Sequence, residues 1–557
     1  MKPNRRACLV AICILLWSAG AGASELGEDL KARRARVMER LGTESILVLW
    51  SAPLARYSLD VDYEYRQDSN LYYLTGVTQD ETILVLMPGN ASRREILFIK
   101  DRNPVREHWT GHRLANEEAT AHTGIETVFA TSQFEAFMAA VLDRRGFETI
   151  DAREAARFFD ALAAGRARVA LTLDSRRGLS DPLSRPLEFA RQIRDRFFGF
   201  QVVDATPVIV DLRMVKTAYE RKLLIKSLEI SSEAQMAGMR AARPGAYEYE
   251  VKAAIEAVHR ARGAVSWSYP SIVGSGPNAT ILHYPGGSRQ MQAGDLLLVD
   301  AACNYEYASG DITRTYPVSG TFTPAQKDLY GIVLQAQDEG MKAARPGAST
   351  QDIHRKTVEV IKAGLLRLGL ISDANSEQYR MWYTHGASHY IGIDVHDVGD
   401  RNRPLEPGMA FVIEPGLYIR SSALDSLPRT AENDALIEKI RPAVMKYADL
   451  GVRVEDAFLL EENRLRRLSA PVPRTIEEIE AFLRNRPQTS AVAVVGGLYR
   501  LNEEQIAERG ARMARREARE YREYLSAEQR SQPGCPAREV LLDQPIQATS
   551  PRGSRCR

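Results

Sequence analysis

A repeated nine-residue pattern constrains the fold of this 557-residue chain more than any other feature. GMRAARPGA at 238–246 recurs as GMKAARPGA at 340–348, 102 residues later. Each copy lies between two amphipathic helical patterns, and its Pro-Gly pair interrupts them before β-favouring runs begin. Two related helix-helix-strand units predict a pseudo-symmetric α/β body with a sheet covered by helices on one side and a cleft along the pseudo-axis. The helices are predicted at 218–242, 247–262, 325–344 and 350–368.

The residues before this body alternate between apolar runs and helical patterns, which predicts a separate α/β domain at 24–206. Its aromatic segments at 66–76 and 107–111 are candidates for contact with a partner or substrate, although Tyr72 and Tyr73 also suit a core. The strands are predicted at 46–50, 82–87, 95–100 and 169–173, and the helices at 28–41, 133–144 and 186–196.

The two ends of the chain differ from its centre. Residues 1–23 combine a basic start, an apolar run too short to span a bilayer and an Ala-Gly-Ala ending. This pattern predicts a removed signal peptide, export to a periplasm or to the outside, and no stable membrane span in the mature chain. We assign 207–473 to the repeat-bearing domain and 474–557 to a tail that is first helical, at 476–483 and 502–525, and then disordered.

Charge and cysteine content limit the function. The formal net charge of +2 falls to about −1 when the three cationic residues of the signal segment are removed. Such a balance gives no indication of nucleic-acid binding. In an oxidising compartment Cys535 and Cys556 could pair, and Cys303 is interpreted as a buried small residue rather than as a nucleophile.

Two aspartates belong to a predicted hairpin. Asp300 ends the apolar run 296–299, and Asp311 follows after a turn-like segment, before strand character resumes at 312–315. Two close, buried carboxylates repel each other unless a proton or a cation lies between them. The pair therefore suggests a metal, although two aspartates taken alone are better explained as turn or capping residues until further ligands are found.

The second half of the body supplies further candidate ligands. Glu414 ends an apolar strand before Pro-Gly, and Glu455 lies on another strand beyond the insertion-like polar segment 420–450. Each alone could be a solvated strand end, but four acids and a histidine in such positions jointly indicate a metal site. The segment HGASHYIGIDVHDVG contains three of the nine histidines, His385, His389 and His396.

Together these residues resemble the five metal ligands of the pita-bread metallopeptidases: Asp300, Asp311, His389, Glu414 and Glu455. The motifs YPSIVGSGPNATILHY, DITRTYPV, IEPGLYI and VRVED are similar to the Xaa-Pro aminopeptidase (aminopeptidase P) and prolidase branch. The leading domain, with YRQDSNLYYLTG, is similar to the aminopeptidase P N-terminal domain. The resemblance spans about 24–473 and implies an N-terminal α/β domain followed by a pseudo-symmetric pita-bread catalytic domain.

The resemblance implies two divalent metal ions, with Mn²⁺ expected and Co²⁺ or Zn²⁺ as alternatives. Asp311 and Glu455 would bridge the ions, Asp300 would complete the shell of one, and His389 and Glu414 that of the other. Glu414 would also carry the proton from the attacking water to the leaving nitrogen.

Further residues match outer positions of the family site. His283 and His396 would hydrogen-bond the tetrahedral intermediate or the carbonyl after proline, and Arg453 would either orient Glu455 or meet a substrate carboxylate. Trp109 matches a tryptophan that can approach a neighbouring subunit's site, so a homo-oligomer is expected.

The function implied is an exported Xaa-Pro aminopeptidase whose substrate is a peptide with proline at the second position. Two alternatives remain open. The long segment between Glu414 and Glu455 is nearer the spacing in prolidases, which are restricted to Xaa-Pro dipeptides, and some pita-bread proteins are non-catalytic binding modules. The glycines of GSGPNAT do not make a phosphate loop, because the Lys-Ser/Thr ending and a following helix are missing.

Overall fold

The computed structural model describes residues 25–173, 178, 180–462 and 464–486. The predicted signal peptide, the helix at 502–525, the disordered tail segment and the Cys535–Cys556 pair lie outside the described residues. Among the helices that the structure describes, none is both long enough and apolar enough to cross a membrane. Cys303 is buried and free, as interpreted from the sequence.

The N-terminal domain is built on a six-stranded sheet in the order β6-β5-β4-β1-β7-β8. Its strands are β1 (Ser45–Trp50), β4 (Ile83–Leu86), β5 (Glu95–Ile99), β6 (Thr127–Ala130), β7 (Ala167–Leu171) and β8 (Phe200–Asp204), and a short hairpin outside it consists of β2 (Arg56–Ser58) and β3 (Val61–Asp62). Its helices are α1 (Glu25–Leu41), α2 (Ser69–Thr75), α3 (Pro104–Thr110), α4 (Asn116–Thr123), α5 (Phe134–Leu142), α6 (Ala156–Ala163), α7 (Arg185–Arg194) and α8 (Thr206–Met214).

The central strand of this sheet shows why its sequence is a continuous apolar run. Ile46, Val48 and Trp50 of β1 pack into one core, and Leu47 and Leu49 pack into a second core on the opposite face. Helices cover both faces, so no position of the strand needs a polar side chain. The half-exposed strands β6 and β8 lack such a run and were not predicted.

The second domain carries the repeat as two packed helix pairs, α9 with α10 and α11 with α12. Its helices are α9 (Ala218–Ala241), α10 (Glu248–Ala261), α11 (Pro324–Ala343), α12 (Thr350–Leu368), α13 (Ala431–Tyr447) and α14 (Ile476–Arg484). Its strands are β9 (Ser266–Trp267), β10 (Ile272–Ser275), β11 (Leu296–Asp300), β12 (Cys303–Tyr305), β13 (Ala308–Ser309), β14 (Thr313–Pro317), β15 (Ala410–Ile413), β16 (Gly416–Ile419), β17 (Leu450–Arg453), β18 (Asp456–Leu460) and β19 (Leu465–Arg467).

The two copies of the repeat have the same local structure. Each Pro-Gly pair ends with a glycine in the left-handed region, Gly245 at φ +84° and Gly347 at φ +83°. A residue with a β-carbon is strained there, which explains why the glycine recurs in both copies. Capping boxes begin the first helix of each pair, α9 at Thr217 and α11 at Thr323. The predicted pseudo-symmetric α/β body is therefore confirmed.

The predicted hairpin between Asp300 and Asp311 is more elaborate than a turn. β11 pairs with β14 in antiparallel register, with Asp300 opposite Thr313. However, β12 and β13 intervene and pair with each other in another sheet, in which β12 also pairs with β9, so Asp311 precedes β14 rather than lying on it. These intervening strands are two and three residues long, too short to give a readable alternation in the sequence.

Two other sequence interpretations are refined by the structure. The polar segment 420–450 contains the helix α13, whose buried Ile437, Ile440, Val444 and Tyr447 form a narrow apolar stripe. Of the two adjacent tyrosines, Tyr73 is fully buried, and Tyr72 stacks on Tyr307 of the second domain with 3.7 Å between ring centroids. The assigned domain bounds themselves stay predictions.

A fully buried ion pair joins the two halves of the second domain. Arg314 on β14 donates from Nη2 to Oδ1 of Asp456 on β18 at 2.6 Å, and neither side chain is exposed. The guanidinium also donates to the main-chain carbonyl of Glu455 at 2.6 Å, and Ser469 donates its hydroxyl to Asp456. The pair thereby fixes the backbone on either side of Glu455.

We expect Arg314→Met to lower the free energy of unfolding by about 3–5 kcal/mol, because Asp456 would be left as an uncompensated buried charge. Urea denaturation followed by circular dichroism measures the change. The matched control is Lys342→Met, which removes a surface cation paired with Glu339 and should leave the midpoint unchanged. Equal effects of the two substitutions would contradict the prediction.

Candidate metal centre

Five predicted ligand residues converge between the two halves of the second domain. Their ligand atoms form overlapping groups within 4.8 Å: Asp300, Asp311 and Glu455 in one, and His389, Glu414 and Glu455 in another. His389 Nε2 lies 3.4 Å from Asp311 Oδ2 and 3.7 Å from Glu414 Oε1, so the two groups are continuous. Two groups that share Glu455 are the arrangement expected of two adjacent ions. The roles of these residues as ligands stay predictions.

Backbone pairing brings these residues together. The main-chain N–H of Glu455 donates to the carbonyl of Thr313 at 3.1 Å, which links the strands of the two halves. The N–H of Glu414 donates to Ala387 O at 2.8 Å, and that of Val412 donates to His389 O at 2.9 Å. The histidine-bearing loop is thereby attached to β15, and each carboxylate lies where a strand begins or ends.

The electrostatics of the cluster are those of a cation site. Burial, and then the charge of Asp300, raises the pKa of Asp311 well above its usual value, and burial followed by Asp311 does the same for the pKa of Glu455. Burial and the neighbouring charge of Glu455 raise the pKa of Glu414 to about 8. Bound cations would reverse these shifts, because they favour the ionised carboxylates.

A further atom supports the fit of divalent metal ions to this site. Glu455 Oε1 is buried and has no hydrogen-bond partner among the residues that the structure describes. An unpaired buried carboxylate oxygen is costly unless a cation or a donor meets it. Four carboxylates with one imidazole form an oxygen-rich donor set that suits hard or borderline divalent ions. The residues present therefore fit a metal pair.

Arg453 is held inside the site and not at its surface. Only 3% of the residue is exposed, and its guanidinium donates to Asp300, to Tyr418 OH at 2.8 Å and to Thr313 Oγ1 at 3.1 Å. Thr313 in turn donates its hydroxyl to Glu455 Oε2 at 2.7 Å. The direct carboxylate contact is thus with Asp300, and Arg453 reaches Glu455 through Thr313.

Two residues of the site had no assigned role in the sequence analysis. The Tyr269 hydroxyl lies within hydrogen-bonding distance of Asp300 and Asp311, and burial raises its pKa well above the usual value. His385 bonds through Nε2 to Tyr418 OH at 2.9 Å and lies 3.8 Å from Glu414. Burial and the charge of Arg453 lower the pKa of His385 to about 3. Tyr269 begins the motif YPSIVGSGPNATILHY, and His385 begins HGASHYIGIDVHDVG. These motifs were the only feature of the sequence analysis that pointed to the two residues.

Of the predicted outer residues, His396 lies at the edge of the cluster. The His396 ring is 4.4 Å from the His389 ring, and burial and the charge of His389 lower the pKa of His396 to about 4. His283 is exposed, as is Trp109 at 83%. The structure therefore places His396 beside the five residues, whereas Trp109 projects from the surface of α3.

A charged network holds the loop that carries His389 and His396. Asp397 accepts hydrogen bonds from Arg213 Nη2 and from Lys216 Nζ at 2.6 Å, and these three side chains are at most 2% exposed. Arg213 also binds Asp394 Oδ2 and Asn70 Oδ1, both at 2.8 Å. The loop is therefore fixed by α8 and by α2 of the N-terminal domain.

Comparison with known proteins agrees with this geometry. Residues 222–462 match the model of metallopeptidase family M24, and residues 30–150 match that of the aminopeptidase P N-terminal domain. The Xaa-Pro aminopeptidase of Escherichia coli K12 is 32% identical over 82% of this chain and 97% of that protein, and human Xaa-Pro aminopeptidase 3 is 30% identical over 79% and 81%. The solved structure of E. coli aminopeptidase P with the inhibitor Pro-Leu covers 83% of this chain and 99% of its own, with a TM-score of 0.69 and 31% identity.

The paired halves and the cluster of carboxylates between them are those of a pita-bread metallopeptidase. The chain belongs to the aminopeptidase P group of metallopeptidase family M24. The predicted fold class and family are confirmed, and the chain is an enzyme of the metallopeptidase class rather than a non-catalytic module.

Thr313→Val should weaken divalent-metal binding by roughly 10- to 100-fold, because it removes the hydroxyl that joins Arg453 to Glu455 without changing the side-chain volume. Calorimetric titration of the metal-stripped protein measures the dissociation constants. Thr357→Val is the matched control, since that buried hydroxyl donates to the carbonyl of His354 within α12. Unchanged metal affinity in Thr313→Val would contradict the assigned link.

Proposed function

We propose that this chain is an Xaa-Pro aminopeptidase, which hydrolyses the bond between an N-terminal residue and a following proline. The observation that carries the proposal is the convergence of four carboxylates and an imidazole between the two halves of the fold. The relatives named Xaa-Pro aminopeptidase, which align over most of the chain, support the choice of substrate.

Two divalent ions, with Mn²⁺ as the proposed native metal, would be held by the five residues of the cluster, Asp300, Asp311, His389, Glu414 and Glu455. When bound, such ions polarise the scissile carbonyl and lower the pKa of the attacking water from 15.7 toward about 7, so that hydroxide is available at neutral pH. Oxygen-rich coordination supports Mn²⁺ in this proposal, although affinity order alone does not select it.

Glu414 is the proposed proton carrier of the reaction. Its carboxylate lies between His389 and His385, where it can accept a proton from water and return it to the leaving nitrogen. The Xaa-Pro bond is a tertiary amide, so its nitrogen must be protonated as it departs. His385 stays neutral at physiological pH, because its pKa is about 3, and therefore does not compete for that proton.

The outer residues would bind and orient the peptide. His283 and His396 are exposed, and both are proposed to hydrogen-bond the tetrahedral intermediate or the carbonyl after proline. Arg453 is proposed to orient Asp300 directly, and Glu455 through Thr313, instead of meeting a substrate carboxylate, because its donors point to these protein groups.

A prolidase restricted to dipeptides is the second candidate. Glu414 and Glu455 are 41 positions apart, and the intervening segment forms α13, a spacing nearer that of prolidases. Export from the cell and assembly into a homo-oligomer are further parts of the proposal. They rest on the sequence pattern of residues 1–23 and on the exposed Trp109.

We expect the metal-stripped protein to be inactive and Mn²⁺ to restore cleavage of an Xaa-Pro-Yaa tripeptide more effectively than cleavage of an Xaa-Pro dipeptide. Product release is followed by liquid chromatography, with Co²⁺ and Zn²⁺ in parallel reconstitutions. An Xaa-Ala-Yaa tripeptide is the control for the requirement for proline. Cleavage of the dipeptide alone would identify a prolidase, and equal cleavage of the alanine peptide would refute proline specificity.

Expression of the full chain in a Gram-negative host should give a mature protein that starts at Ser24, because the signal peptide ends at Ala23. N-terminal sequencing of the periplasmic fraction checks this. Substituting the apolar run 7–17 with polar residues should retain the full-length chain in the cytoplasm. A cytoplasmic chain with an intact Met1 in both versions would argue against export.

A further inference from the structure

Two buried glutamines occupy equivalent positions of the repeat. Gln235 on α9 and Gln337 on α11 are 102 residues apart, the same offset as the two copies of the Pro-Gly pattern. Both side chains are completely buried. A fully buried uncharged amide needs partners for its donors, so the contacts of each glutamine indicate what it does.

Gln235 contacts the backbone beside the first pair of carboxylates. Its Nε2 donates to the carbonyl of Ala301 at 3.0 Å and to that of Ile312 at 2.8 Å. Ala301 directly follows Asp300, and Ile312 directly follows Asp311. One amide group therefore joins the two chain segments that present these aspartates.

Gln337 makes the corresponding contacts in the other half. Its Nε2 lies 3.0 Å from the carbonyl oxygen of Ile413, 3.2 Å from that of Val454 and 3.1 Å from Oδ2 of the buried Asp456. Ile413 directly precedes Glu414, and Val454 directly precedes Glu455. Each glutamine thus lies between two segments, and together the pair reaches four of the five proposed ligands through their neighbours.

Other contacts fix the orientation of each amide. Gln337 Oε1 accepts a hydrogen bond from Arg474 Nη1 at 2.8 Å, which identifies its nitrogen as the atom facing the carbonyls. For Gln235, the two carbonyl partners accept only from a donor, so the nitrogen must face them. Gln235 Oε1 is buried and has no partner among the residues that the structure describes. The hydrogen bonds that the structure gives for the Gln235 side chain are therefore those of its donor nitrogen.

We propose that Gln235 and Gln337 are a symmetry-related pair of positioning residues for the metal centre. Each holds two carboxylate-bearing segments at a fixed separation, and neither touches metal or substrate. Loss of the amide leaves two buried carbonyls without this donor, so the segments relax and the carboxylates lose their preset spacing. The inference rests on the proposed two-metal function and adds the residues that set the spacing within each half.

The test compares Gln235→Met and Gln337→Met with the unsubstituted full chain. Methionine keeps the length and approximate volume of glutamine but has no donor. Gln326→Met is the matched control, because Gln326 is a buried glutamine of α11 that donates to the carbonyl of Gly294, away from the cluster. Mn²⁺ dissociation constants of the metal-stripped proteins are measured by calorimetry, and kcat and KM are measured at limiting and at saturating Mn²⁺.

We expect both substitutions to weaken Mn²⁺ binding by roughly 10- to 100-fold, with activity partly recovered at saturating metal and KM little changed. Gln326→Met should bind Mn²⁺ within twofold of the unsubstituted chain. Equal losses in all three variants, or unchanged affinity in Gln235→Met and Gln337→Met, would overturn the proposal.

Two further measurements keep the outcome decisive. If a methionine variant does not fold, the asparagine variant at the same position keeps both amide hydrogens but shortens the side chain by one methylene. Undiminished Mn²⁺ affinity in that variant would overturn the proposal, and weakened affinity with a folded circular dichroism spectrum would support it. If the unsubstituted chain binds no divalent metal, the proposed function is overturned as well. If the unsubstituted chain and both variants bind metal normally, only the role of the glutamines is rejected.

Discussion

Mutual repulsion among the clustered carboxylates of Asp300, Asp311, Glu414 and Glu455 is the constraint on which the rest of this structure depends. Burial, and then the charge of a neighbouring carboxylate, raises the pKa values of Asp311, Glu414 and Glu455. Arg453 supplies one internal cation to the cluster. The remaining negative charge makes divalent cations the natural complement, so the fold has to hold an arrangement that is unfavourable without them.

The fold resists this repulsion by dividing the cluster between its two halves. Each half contributes two acids at strand ends, and the strands are joined by the bridge between Thr313 and Glu455 and by the buried pair of Arg314 and Asp456. The repeat visible in the sequence therefore corresponds to the two helix pairs that support the site. Helix pairs of the same construction support both sides of the site, and the acidic residues lie at strand ends or within two residues of them.

The sequence predicted some parts of this arrangement better than others. The four repeat helices were located to within about two residues, because amphipathic periodicity and capping residues act locally. The ligands were found through their joint resemblance to a family, since a single Asp or Glu at a strand end has no distinctive pattern. Tyr269, Thr313 and the buried glutamines escaped notice, because a lone polar residue shows its importance only when tertiary contacts reveal its partners. The helix α13 was missed because its apolar stripe is narrow within a charged segment.

Through the network around Asp394 and Asp397, the N-terminal domain contacts the loop that carries two histidines of the site. The loop bearing His389 and His396 is bound by Arg213 and Lys216 next to the domain junction, and by Arg66 and Ser69 of the leading domain. A shortened protein that began at residue 207 would keep every candidate ligand and both buried cations, yet lose the contacts that Arg66, Ser69 and Asn70 make with this network. The contacts that hold the loop bearing His389 and His396 therefore extend well beyond the residues that could touch a peptide, and the N-terminal domain supplies some of them directly.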